Sequence, residues 1–200
     1  MRIARITGAI AAVIWFVGAP LVSLAGVPFP SDAQDLLIGA IAALLGLTLA
    51  PVAVAIARAI RTRMSDVVRV SGLAICIALI GSGVLLIVAV NGRFGERAPD
   101  WISLPAFVSS LALFVWISVA SIALRGPSTT DRWIFWLGLL TGLSLAVPLL
   151  ASILMFYFAR DFVITNATVL PLFLVDLVLW VSLPAWLTTV VVGLSNKTAP

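Results

Sequence analysis

Residues 70–90 read Val-Ser-Gly-Leu-Ala-Ile-Cys-Ile-Ala-Leu-Ile-Gly-Ser-Gly-Val-Leu-Leu-Ile-Val-Ala-Val, a run with no charged side chain. A helix rises about 1.5 Å per residue, so a run of this length reaches about 30 Å, the thickness of a bilayer's hydrocarbon core. A barrel strand does not fit it. Such strands alternate apolar and polar residues over about ten positions, and this run is twice as long and apolar on every side. The stretch therefore predicts a membrane-spanning helix.

Five other runs of the same kind surround it. The expected spans are 5–26, 36–57, 70–90, 101–124, 133–158 and 169–194. The connections between them are short, so residues 1–200 are expected to form one integral membrane domain: an all-α, polytopic bundle of six transmembrane helices. Composition agrees, with 62% hydrophobic and 10% charged residues, where soluble domains run near half and a quarter.

The net charge of +4 does not indicate a nucleic-acid partner, because the positive residues are distributed by side of the membrane and not gathered on one face. With the N-terminus inside, Arg2, Arg5, Arg58, Arg61, Arg63, Arg69, Arg125, Arg132 and Lys197 are cytoplasmic, while Arg93, Arg97 and Arg160 are outside. That asymmetry predicts an N-in, C-in topology. The excess of arginine over lysine hints at a GC-rich bacterial genome, and the expected location is the bacterial plasma membrane. Ser23-Leu24-Ala25 resembles a signal-peptide cleavage site, but the apolar run before it exceeds the usual 7–15 residues, so an uncleaved first span is expected. The first outer loop carries Ser31 and Gln34 at capping-box spacing ahead of the second helix.

Several chemistries lose their usual residues. There is no histidine and only one cysteine, Cys76. Walker A, Gly-x-Ser-x-Gly, Cys-x-x-Cys and His-Glu-x-x-His patterns are all missing. No catalytic, cofactor-binding or metal site is expected, and an enzyme is not expected.

The residue that most needs a reason is Asp176, flanked by Leu172, Phe173, Leu174 and Val175 before it and Leu177, Val178, Leu179 and Trp180 after it. A charge near a helix centre costs about 2.5–3.5 kcal/mol on insertion scales, so Asp176 should face the bundle or a cavity. Its functional reading is a carboxylate coupling a proton or cation to transport; its structural reading is a hydrogen-bonded acid between helices. Pro51 and Pro148 lie well inside their spans and are candidate helix breaks.

Small residues recur every four positions at Gly138, Gly142 and Ala146, at Ala42, Gly46 and Ala50, and at Ala74, Ala78 and Ser82. Such stripes predict close helix packing, and they are compatible with self-association or partner membrane subunits. Trp101 and Trp133 fall at span ends, as interfacial anchors do, whereas Trp15, Trp116 and Trp180 lie deeper. Gly46–Pro51 resembles Gly142–Pro148, as a three-plus-three inverted repeat would.

Two functions follow. The first is a permease-like or substrate-binding membrane component for a small apolar or weakly polar solute. In span count and length the chain is similar to the substrate-binding subunits of energy-coupling-factor vitamin importers, a similarity of size that carries no residue across. The second is a non-catalytic accessory or structural subunit of a membrane complex.

Overall fold

The computed structural model describes residues 2–25, 32–60, 63–92, 104–158 and 166–196, and the side chains of these except 23–25, 107, 145–158, 166–177 and 195–196. Every described element is helical: α1 (Arg2–Ala25), α2 (Asp32–Ala59), α3 (Met64–Asn91), α4 (Leu104–Ala123), α5 (Thr129–Phe158) and α6 (Asn166–Asn196). Within their described residues α1 to α4 are long and apolar enough to cross a membrane. α5 and α6, at 30 and 31 residues, exceed the length a span needs. The protein is an all-α helical membrane bundle.

Most helices run past the apolar stretch that predicts them, because a helix need not stop where hydrocarbon stops. α3 starts at Met64, ahead of residue 70, and its first turn carries an Asp66–Arg69 ion pair at 2.9 Å. The Ser65 hydroxyl donates to the Ala57 carbonyl at 2.7 Å. That carbonyl also accepts the Ile60 N–H at 3.2 Å, and the serine bond ties the start of α3 to the end of α2 in a tight hairpin. α2 begins at Asp32, with Asp32 and Asp35 in its first turn, where the positive end of the helix dipole favours acids. Ser31, half of the expected capping box, lies outside the described residues. α5 opens on Ser128, whose Oγ accepts the Asp131 N–H at 3.1 Å.

The helices form a closed ring. Each packs against its neighbours in the chain, α6 returns to α1, and α2 also reaches α4 and α6. Neighbours run antiparallel. Gly8 and Gly18 of α1 meet Val52 and Ile41 of α2, while Gly39 and Gly46 of α2 meet Gly83 and Cys76 of α3. Among the described residues α2 touches four helices and α5 two, so the two helices related by the Gly–Pro similarity hold different positions.

Small residues set the closest approaches. A methyl on Gly39 would lie 2.8 Å from the Gly83 carbonyl, and one on Gly46 would lie 2.6 Å from the Cys76 carbonyl. The α3 side of this seam is not the predicted one. Ala74 and Ala78 are exposed, and the seam uses Cys76, Ile80 and Gly83 instead. The reason is that lipid and protein both accept alanine, so a small-residue stripe does not reveal which side it faces. Among the described residues the outer surface is largely apolar, with Ile77 at 69% exposure, Leu143 at 61% and Val13 at 62%. A surface of this kind is stable against acyl chains and not against water.

Candidate functional site

Between α1, α2 and α4 lies a partly open cavity of about 220 Å³ that reaches from mid-helix toward the Asp32 end of the bundle. Trp15 and Ala19 line it from α1, Ile41, Ala42 and Leu45 from α2, and Leu113 and Phe114 from α4. α3 contributes Leu79. The space exists because α1 and α4 are held apart by α2, and because Ala42 and Ala19 are too short to fill the gap. Trp15 and Phe114 meet edge to face across it, 5.8 Å between centroids. Two described wall residues carry polar side-chain atoms, and both are already bonded. The Trp15 indole donates to the Leu179 carbonyl at 3.2 Å, and the Ser110 hydroxyl donates to the Ala106 carbonyl at 2.8 Å.

Tryptophans knit the bundle around this space. Trp180 of α6 donates to the Phe16 carbonyl of α1 at 2.7 Å and stacks on the Phe16 ring at 4.9 Å. Together with Trp15, which points the other way, it makes a reciprocal clamp that closes the ring. The choice of carbonyl follows from Pro20. In a helix the Phe16 carbonyl would accept the N–H of residue 20, and proline has none. Trp180 supplies the missing donor from the next helix. Trp116 of α4 donates to the Val68 carbonyl at 2.9 Å. It reaches that atom because Gly72 carries no side chain; a methyl there would stand 2.8 Å from the indole ring. Trp186 of α6, fully buried, donates to Ser121 of α4 at 2.7 Å. Its partner surface includes Gly138, where a methyl would collide with Ser121 Oγ. These inter-helix bonds escape sequence reasoning because depth along a span does not show direction. Only the proline four residues after Phe16 carries a readable signal, an acceptor in need of a donor.

The predicted residues sort as follows. Gly138 and Gly142 face Ser121 and Ser118 of α4, and the Ser118 hydroxyl donates to the Gly138 carbonyl at 3.3 Å. The Ala146 side chain lies outside the described residues. Helical backbone continues through Pro51 in α2 and through position 148 in α5; the Pro148 side chain lies outside the described residues. The Asp176 side chain does too. Its position falls one turn before Leu179, the residue that receives the Trp15 indole, on the same stripe of α6 as buried Leu179 and Leu183. Trp133 and Trp136 are exposed, and Trp101 lies outside the described residues.

One acid that sequence alone leaves at a loop edge is buried. Asp131 is 3% exposed at the start of α5, tight against Gly126. Among the described residues no three His, Cys, Asp or Glu side chains gather as a metal site would require. The chain matches no protein-family model, no curated protein and no solved structure.

Proposed function

We propose that this protein is a small permease-like or substrate-binding component of a membrane, handling a small apolar or weakly polar solute. The observation that carries the reading is the apolar cavity between α1, α2 and α4, since ligand sites of helical bundles lie between helices. The clamp supports it, since Trp15 both lines the space and closes the α1–α6 seam. Asp176, in register with the clamp, is the proposed coupling carboxylate.

For orientation we propose N-in and C-in across a bacterial plasma membrane. At one end of the bundle the described residues include Arg2, Arg5, Arg58, Arg63, Arg69, Arg125 and Arg132. At the other end they include Asp32 and Asp35, while Arg93, Arg97 and Arg160 lie outside the described residues. Positive charge marks the cytoplasmic side.

The test is flux of small uncharged solutes into proteoliposomes holding the full-length protein. Uptake of at least one solute above empty vesicles, reduced by Ala42→Phe, is expected. Uptake equal to empty vesicles for all solutes overturns the reading. The second reading, an accessory subunit, is favoured by the exposed small residues Ala74, Ala78 and Gly81 on α3, a surface on which a partner helix can pack closely. A single stoichiometric partner on mild solubilisation would support it.

A further inference from the structure

The turn that joins α2 to α3 carries more positive charge than its own acid can balance. Arg69 pairs with Asp66 at 2.9 Å, and this is the single ion pair among the described residues. It neutralises the one described acid of the hairpin. Arg58 and Arg63 have no carboxylate partner among the described residues, and both are exposed. We propose that these two arginines grip the phosphate of a phospholipid whose headgroup carries net negative charge, held on the outer face of the α2–α3 hairpin.

The hairpin brings the two arginines to one level. The Ser65 hydroxyl donates to the Ala57 carbonyl at 2.7 Å. Arg58 follows Ala57, and Arg63 lies two residues before Ser65, so both side chains leave the backbone within about one helix diameter, 10–12 Å. Arginine side chains are long enough for both guanidinium groups to meet one phosphate in that gap. Ile60, buried at the turn, leaves the outside to them. Each arginine also ends an apolar stripe. On α2, exposed Leu44 and Leu47 stand about four and three turns before Arg58. On α3, exposed Val67, Val70 and Ile77 follow Arg63 at about one, two and four turns. Arg63 itself has helical backbone angles, φ −57° and ψ −18°, so its stripe runs unbroken.

Depth selects the partner. Val67 is about 6 Å along the helix from Arg63, so hydrocarbon begins within a turn of the arginines. Lipid phosphates lie at that boundary, and basic clusters just beyond a span attract anionic headgroups. A soluble polyanion would have to displace lipid to arrive there, whereas a lipid phosphate is already in place with its acyl chains along Leu47 and Val70. Zwitterionic lipids carry the same phosphate but bring an ammonium that the guanidinium groups repel. Arginine also suits the task, because its planar, weakly hydrated fork matches phosphate oxygens in pairs. Attraction to an anionic surface amounts to about fivefold in affinity per arginine, or about 25-fold for the pair.

The test uses the full-length protein in nanodiscs of equal parts phosphatidylglycerol and phosphatidylcholine, with the lipids retained on the protein counted by native mass spectrometry. Nanodiscs expose both leaflets, so the orientation of the protein does not affect the readout. At least one retained phosphatidylglycerol is expected, in about 25-fold preference over phosphatidylcholine. Arg58→Gln combined with Arg63→Gln should remove that preference. Arg2→Gln combined with Arg5→Gln takes the same charge from the same end of the bundle and should leave it intact. Unchanged tryptophan emission checks that each variant keeps its fold. Should the Arg58/Arg63 double variant lose it, Arg58→Gln and Arg63→Gln alone are each expected to lower the preference about fivefold. Equal retention of the two lipids, or a preference undiminished by the Arg58 and Arg63 changes, overturns the proposal. An equal loss in the Arg2/Arg5 variant also overturns it, because the attraction would then be a diffuse field over the whole end. Release of the retained lipid by inorganic phosphate at constant ionic strength would identify a free-anion site and overturn it too.

Discussion

The Trp180–Phe16 bond tests whether a helix break in one span is repaired by a side chain from another. Phe16 lies four residues before Pro20, so its carbonyl lacks the intrahelical donor, and Trp180 Nε1 stands 2.7 Å from it. The site lies on the outer side of α1, where Phe16 itself is half exposed. In the bilayer that exposure is to hydrocarbon, so no water can take over the carbonyl. Trp180→Phe removes the donor and keeps a ring to stack on Phe16.

An acceptor left unsatisfied costs about 1–3 kcal/mol, while interhelical bonds measured within membranes average about 0.6 and reach about 1.7. The proline places this bond near the top of that range, so a loss of about 1.5 kcal/mol is expected, roughly tenfold in the unfolding equilibrium. Pro20→Ala restores an N–H at position 20. In that background the same Trp180→Phe change should cost about 0.5 kcal/mol, the residue of lost packing. The cycle thus predicts a coupling near 1 kcal/mol. The assay is reversible unfolding in bicelles of the four proteins. Equal costs of Trp180→Phe in both backgrounds would refute the repair of Pro20 by Trp180, whatever the size of either cost.

Three other substitutions separate close packing from open surface. Gly138→Ala drives a methyl into Ser121 and Trp186 and should lose about 1–3 kcal/mol by overpacking, whereas Gly81→Ala meets nothing within 4 Å and should gain about 0.5–1 kcal/mol from helix propensity; unfolding midpoints compared side by side check the contrast. Gly72→Ala displaces the Trp116 indole from the Val68 carbonyl, and a red-shifted, weakened tryptophan emission with a stability loss of about 1–3 kcal/mol is the expected readout. Asp176→Asn and Asp176→Leu should both abolish solute flux while the protein still inserts, since removing a charge lightens an insertion cost of about 2.5–3.5 kcal/mol; unchanged flux and stability in both would leave Asp176 with neither a coupling nor a structural role.

Sequence and structure divide the site unevenly. Gly138 and Gly142 were legible because tight packing of backbones demands small residues wherever it occurs. Asp176 stood out because an ionisable group among Leu, Val and Phe has a known cost. The cavity was not legible: it arises from Ala19, Ala42 and Trp15 meeting across two helices, and no single span shows that alanine faces a void and not a neighbour. Trp186, fully buried at the α4–α6 crossing, gives no sign of its partner in a stretch where every neighbour is apolar. Asp131 looks solvated at its loop edge, and only the fold of residues 126–131 over the end of α5 buries it.

By itself the sequence determined that this is an all-α membrane bundle, where its six helices lie, and which ends carry the arginines. These are local properties. In hydrocarbon each segment must satisfy its own backbone, so run length alone identifies a helix. The tertiary structure alone decided which face of each helix is inside. In a soluble protein polarity reports that choice through periodicity. Here the lipid-facing and core-facing sides are equally apolar, so Ala74 and Ala78 outside and Gly39 and Gly83 inside look alike until the helices are packed. The ring closure by Trp15 and Trp180 belongs to that second kind of information, because it depends on two segments more than 160 residues apart meeting at one depth, and so does the cavity beside it, which needs α1, α2 and α4 packed together.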